Sequence, residues 1–129
     1  MAPGIAAWIA ENVDQLFLSV MTIAEIEQGV RRLNRIGARR KAADLTGWLR
    51  SVSLLYQSRV LPFDLSVAAA LGRLADDAIS RGRPGEAADL IIAATAYVHG
   101  FTLVTRNIRH FAGLGVPLLD PYDPQGIQQ

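Results

Sequence analysis

A chain of 129 residues is long enough for one domain with a real core, and half of its residues are hydrophobic. Thirteen basic and 12 acidic residues leave a net charge of +1, so the overall balance does not announce a nucleic-acid binder. Cysteine is absent, which excludes disulfides and thiolate metal sites; any metal must take oxygen or imidazole ligands. No segment has the length or apolarity of a membrane span, and no signal-peptide pattern opens the chain, so the expected location is cytoplasmic.

The first segment, Pro3 to Val13, predicts a short helix with Ile5, Trp8 and Ile9 on one face. Leu16 to Val20 is a compact strand candidate. Thr22 to Leu33 predicts a helix, with Ile23, Ile26, Val30 and Leu33 at helical spacing. A basic run follows (Arg31, Arg32, Arg35, Arg39, Arg40, Lys41), and Gly37 inside it breaks the helix. Ala42 to Tyr56 predicts a second long helix carrying Leu45, Trp48, Leu49, Val52 and Leu55. Arg59 to Phe63 is a strand, and Pro62 suits an edge position. Ser66 to Arg81 predicts a third helix with Ser66 as its cap. Gly82 to Gly85 is a loop. Glu86 to His99 predicts a helix that is apolar on nearly every side, stopped by Gly100. Phe101 to Val104 is a strand, Arg109 to Leu114 a turn or short helix, and Val116 to Leu119 a last strand. The tail from Asp120, with Pro121 and Pro124, reads as irregular. Strands alternate with helices, which predicts one α/β domain over residues 1–129 with a mostly parallel sheet.

Asp89 is the most informative residue. A carboxylate in the first turn of an otherwise apolar helix needs compensation from donors, a helix dipole or a metal. Ligands of open parallel sheets bind beyond the carboxyl ends of the strands. Glu25 and Asn107 follow two such strand ends; topology alone does not bring Asp89 to the same place. Each residue also has a plainer role. Glu25 completes a capping box with Thr22, Asp89 favours the helix dipole, and Asn107 is a common turn residue. His99 and His110 read as satisfied or surface histidines, the basic run as a solvated face, and Asp64 as a cap or turn residue.

The ordered set of segments is more specific than its parts. The run Leu16–Gly29 resembles the second strand and acidic helix of PIN-domain ribonucleases, and Val60–Asp64 resembles their next strand. Asp89–Ala96, His99–Gly100, Leu103–Phe111 and Gly115–Pro121 resemble their C-terminal half. The likeness is greatest to the VapC toxins, in their FitB-like branch. It implies a PIN-like α/β fold, a parallel sheet flanked by helices. It further implies a metal-dependent endoribonuclease toxin of a type II toxin–antitoxin system. Glu25 and Asp89 match the family's second and third acids, Asn107 its fourth position, and Thr105 a supporting polar residue. On this reading Glu25, Asp89 and Asn107 hold Mg²⁺ or Mn²⁺, and Arg106 and Arg109 approach the RNA backbone. The implied partners are a cognate antitoxin and RNA, with a homodimer or a toxin–antitoxin hetero-oligomer as the assembly.

One departure stands out. The family opens with a hydrophobic strand ending in Leu-Asp-Thr-Asn, whose Asp is the first metal ligand and whose strand is central to the sheet. The run from Met1 to Trp8 resembles the helix after that strand. The expectation is therefore a domain truncated at its N-terminus relative to the family, with its sheet in two halves and weak or no nuclease activity. The alternative function is a catalytically degenerate module that binds an antitoxin or RNA. An unrelated nucleotide-binding domain is disfavoured, because no P-loop or dinucleotide fingerprint occurs.

Overall fold

Ser19 decides where the first long helix begins. Its hydroxyl accepts a hydrogen bond from the Met21 amide at 3.0 Å, so the helix starts at Val20. The computed structural model describes residues 7–8, 11–55 and 57–128, and its chain divides into two compact units. Phe17–Pro62 forms one unit; Met1–Leu16 and Phe63–Gln129 form the other.

In the first of these, β1 (Leu18–Ser19) leads into α1 (Val20–Arg35), which turns into α2 (Arg39–Leu55) and then β2 (Val60–Leu61). β1 and β2 are parallel, with Leu18 opposite Val60 and Ser19 opposite Leu61. Gly37 makes the turn between the helices. Its φ of +86° is open to glycine at no steric cost. The amides of Gly37 and Ala38 reach back to the carbonyls of Asn34 and Leu33, at 3.1 and 2.8 Å, a Schellman ending. The two helices pack as a hairpin over Val30, Ala42, Leu49 and Val52, all buried.

The other unit holds α3 (Leu65–Ser80), α4 (Ala87–His99), β3 (Leu103–Val104), α5 (Ile108–Phe111), β4 (Leu118–Asp120) and β5 (Asp123–Gln128). β3 and β4 are parallel and β5 joins β4 antiparallel, giving the order β3–β4–β5. Val67, Ala70, Leu74 and Ala78 recur every three or four residues and bury one stripe of α3. The facing helix, α4, packs against it with Leu90 and the small side chains of Ala93, Ala94 and Ala96. Phe111, Val116 and Leu118 close the core from the sheet side.

Several boundaries differ from the sequence expectation. The strand expected to run to Val20 stops at Ser19, and Thr22 lies inside α1 rather than capping it. Glu25 therefore sits in the second turn of α1, and the capping-box role does not apply to it. Asp64, not Ser66, caps α3, accepting from the Val67 amide at 3.0 Å. The tail expected to be irregular forms β5. There the Asp120 carboxylate accepts from the Tyr122 amide at 2.8 Å and shapes the turn into it. Pro124 is tolerated because β5 lies at a sheet edge. Of the helix expected over Pro3 to Val13, residues 7, 8, 11 and 12 are helical and Val13–Gln15 continues as a 3-10 turn; Ile5 and Ile9 lie outside the described residues. Among the described residues no helix is long and apolar enough to cross a membrane.

Candidate active site

Where α3 ends, Gly82 (φ +71°) lets the amides of Gly82 and Arg83 bond back to Ile79 and Ala78, each at 2.9 Å. The chain then turns through Pro84 and Gly85 into α4. This turn, the first turn of α4 and the segment around α5 enclose a cleft of about 240 Å³. Arg81, Arg83, Glu86, Asp89, Arg109 and His110 supply its polar lining. The Arg81 guanidinium donates to the Gly113 carbonyl and so ties the end of α3 to the segment after α5. Gly113 is a tight point: a Cβ there would stand 3.3 Å from the Arg81 Nη1.

Asp89 lies in the first turn of α4, where the dipole favours a negative charge. Its side chain is 21% exposed, and its Oδ2 lies 3.3 Å from the Nδ1 of His110. The carboxylate expected on a buried helix thus stands at the rim of a polar cleft. It is compensated by the helix N-terminus and by a histidine that the sequence alone marks as a bystander. Glu86 is the N-cap residue of α4 and makes no side-chain hydrogen bond to the helix amides.

The remaining candidates are placed as follows. The Thr105 amide donates to Leu119 at 2.9 Å and extends the β3–β4 ladder, while its Oγ1 accepts from the Asn107 amide at 2.9 Å. Thr105 therefore shapes the turn after β3, and Asn107 starts α5 with no side-chain capping bond. Arg109 shares the cleft of Asp89; Asn107 is not among the residues lining it. The Arg106 guanidinium stacks 3.7 Å over the Tyr122 ring. Glu25 belongs to the other unit. There it lines a separate cleft of about 350 Å³ with Gln28, Gly29, Arg31, Arg32 and Arg35.

Sequence reasoning missed His110, Arg81, Arg83 and Glu86. A signal existed for three of them, since Arg81, Arg83 and Glu86 crowd the turn just before the acid-bearing helix. His110 meets Asp89 only through tertiary packing. Among the described residues no group of three or more His, Asp or Glu side chains could hold a metal ion. The donors offered are carboxylate oxygens, which suit a hard divalent cation. Magnesium in particular keeps several waters and needs only one or two carboxylates. Each cleft thus combines a helix carboxylate with arginines.

A family model described as the PIN domain matches residues 4–115. The VapC ribonuclease Y4jK of Sinorhizobium fredii is 32% identical over 121 residues, covering 93% of this chain and 85% of that protein. Toxin FitB of Neisseria gonorrhoeae is 32% identical over 119 residues, covering 92% and 84%. The crystal structure of FitAcB from Neisseria gonorrhoeae matches the fold with a TM-score of 0.81 at 32% identity, covering 94% of this chain and 86% of that one. DNA-bound VapBC from Salmonella typhimurium, at 24% identity, shares the fold with a TM-score of 0.74 over 93% of this chain and 86% of that one. The chain belongs to the PIN-domain family, in the group that includes the VapC and FitB toxins.

Proposed function

We propose that this chain is a cytoplasmic, metal-dependent endoribonuclease toxin of a type II toxin–antitoxin system. The observation that carries the reading is Asp89, held at the mouth of a cleft lined by Arg81, Arg83 and Arg109. The family resemblance assigns Asp89, Glu25 and Asn107 to Mg²⁺ or Mn²⁺; of these, Asp89 lines this cleft and Glu25 lines the cleft of its own unit. A bound ion of this kind would lower the pKa of water and stabilise charge on the phosphoryl oxygens.

The protein's own groups have separable tasks. Arg83 and Arg109 bind phosphate oxygens, for which the guanidinium fork is well shaped. His110 orients the Asp89 carboxylate across the 3.3 Å separation. Thr105 holds the turn that carries Asn107. Arg81 keeps the cleft wall in place through Gly113. Solved relatives include FitAcB and VapBC, and a peptide segment of an antitoxin that covers the arginine-lined cleft is the corresponding partner proposed here.

With so few carboxylate donors at the Asp89 cleft, metal affinity is weak and turnover is slow. The neutral Asn107 also favours a second reading, in which the domain binds antitoxin or RNA without cleaving. Calorimetric titration of Mn²⁺ into the chain and into Asp89→Ala tests the metal site. Binding that disappears in the variant supports the proposal; equal binding by both proteins removes it.

A further inference from the structure

The basic run of the Phe17–Pro62 unit has a geometry that a merely solvated face does not need. Arg31, Arg32, Arg35, Arg39, Arg40 and Lys41 place six positive charges within eleven positions, with no acid between Glu27 and Asp44. All six side chains are exposed. Among the described residues, none of the six forms an ion pair with a carboxylate.

Two features bring these charges together. On α1, Glu25, Gln28, Arg32 and Arg35 follow one another at steps of three, four and three, so they form one stripe along the helix. At 1.5 Å per residue, Arg32 and Arg35 lie roughly 10 and 15 Å along the axis from Glu25. All four residues line the same cleft. At the far end, the Schellman turn at Gly37 joins the last turn of α1 to the first turn of α2, where Arg39, Arg40 and Lys41 stand.

The arrangement carries a local cost. Cations suit the C-terminal end of α1, but Arg39, Arg40 and Lys41 occupy the first turn of α2, where the helix dipole disfavours positive charge. Like charges at steps of three and four, as in Arg31–Arg35 and Arg32–Arg35, also repel. A polyanion lying along the stripe relieves both.

We propose that the α1 stripe and the start of α2 form a track for the backbone of single-stranded RNA. The track runs from the cleft of Gln28 and Arg32 over Arg35 to Arg39 and Arg40. This rests on the ribonuclease reading above and gives it a binding surface for the substrate.

Fluorescence anisotropy of the full chain with a labelled single-stranded RNA oligonucleotide, in EDTA and across a salt series, tests the track. Arg32→Gln/Arg35→Gln is compared with Arg50→Gln/Arg73→Gln, which removes the same charge elsewhere. Each phosphate that an arginine neutralises contributes about 0.7 to the slope of log K against log salt. The slope of the first double variant is therefore shallower by roughly 1.4, and the control keeps the wild-type slope. Arg39→Gln/Arg40→Gln gives the same change independently, should the first variant fold poorly by circular dichroism. If RNA binds and all three variants share one slope, the track is wrong and the ribonuclease reading stands. If the wild type binds no RNA, that reading falls with it. Tighter binding to duplex DNA than to RNA, with the slope change confined to DNA, overturns the choice of RNA.

Discussion

Asp89→Asn separates a functional carboxylate from a structural one. Two interactions stabilise the folded chain through this group. The first is the pairing with His110 at 3.3 Å. His110 is 57% exposed, so solvent screens the pair and it contributes about 0.2–1 kcal/mol. The second is the dipole of α4, worth about 0.3–1 kcal/mol for an acid in the first turn. Together the loss is between about 0.5 and 2 kcal/mol. With an unfolding entropy near 2.1 cal/mol/K per residue, that lowers Tm by roughly 2–7 °C. If Asp89 is a metal ligand, the same substitution removes divalent-ion binding altogether, since even groups that only support a ligand change affinity about 10–100-fold. Differential scanning calorimetry and Mn²⁺ titration of the same preparation read both effects. A small Tm loss with abolished binding is the expected pair. A Tm loss well above 10 °C with unchanged ion binding would show that Asp89 serves the scaffold, and the reasoning would fail.

Other expectations concern the scaffold around the two clefts. Ser19→Ala removes the cap of α1 and costs about 1 kcal/mol in urea denaturation, whereas Thr22→Ala lacks this cap effect; the reverse ranking would restore Thr22 as the cap. Gly82→Ala forces an L-residue to a φ of +71° and destabilises by about 1–2 kcal/mol, while Gly72→Ala in α3, with no atom within 4 Å of the new Cβ, stabilises by roughly 0.5–1 kcal/mol. Equal effects of the two substitutions in thermal melts would contradict the assigned turn. Leu118→Ala deletes a fully buried side chain at the start of β4, the middle strand of its sheet, and costs about 2–5 kcal/mol, measured by the same denaturation; a cost under 1 kcal/mol would place Leu118 outside the core.

Much of the fold is legible from residue pattern because the signals are local. Gly37 and Gly100 end helices where glycine is expected, and the apolar spacing of residues 67–78 and 90–96 predicts the faces that pack. Errors arise where two local signals compete. Ser19 and Thr22 are both good caps three residues apart, and only the short span of β1 decides for Ser19. Asp64 and Ser66 pose the same ambiguity. β5 is invisible in the sequence because two prolines suppress the strand signal, while pairing with β4 is a tertiary gain. The candidate site divides the same way. Asp89 can be singled out because an acid among apolar residues is conspicuous in one segment. Its cleft cannot, because Arg81 reaches it from the end of α3 and Arg109 and His110 reach it from α5, both distant from Asp89 in sequence. The stacking of Arg106 is hidden in the sequence for a similar reason, since its partner Tyr122 lies across a helix and a strand.

The most direct measurement is cleavage of a labelled single-stranded RNA by the wild-type chain and by Asp89→Asn, with Mg²⁺ and with EDTA. The predicted result is slow cleavage in Mg²⁺ that stops in EDTA and in the variant, while RNA binding in EDTA persists in both proteins. Cleavage that survives EDTA or Asp89→Asn, or the absence of any Mg²⁺-dependent product, would contradict it.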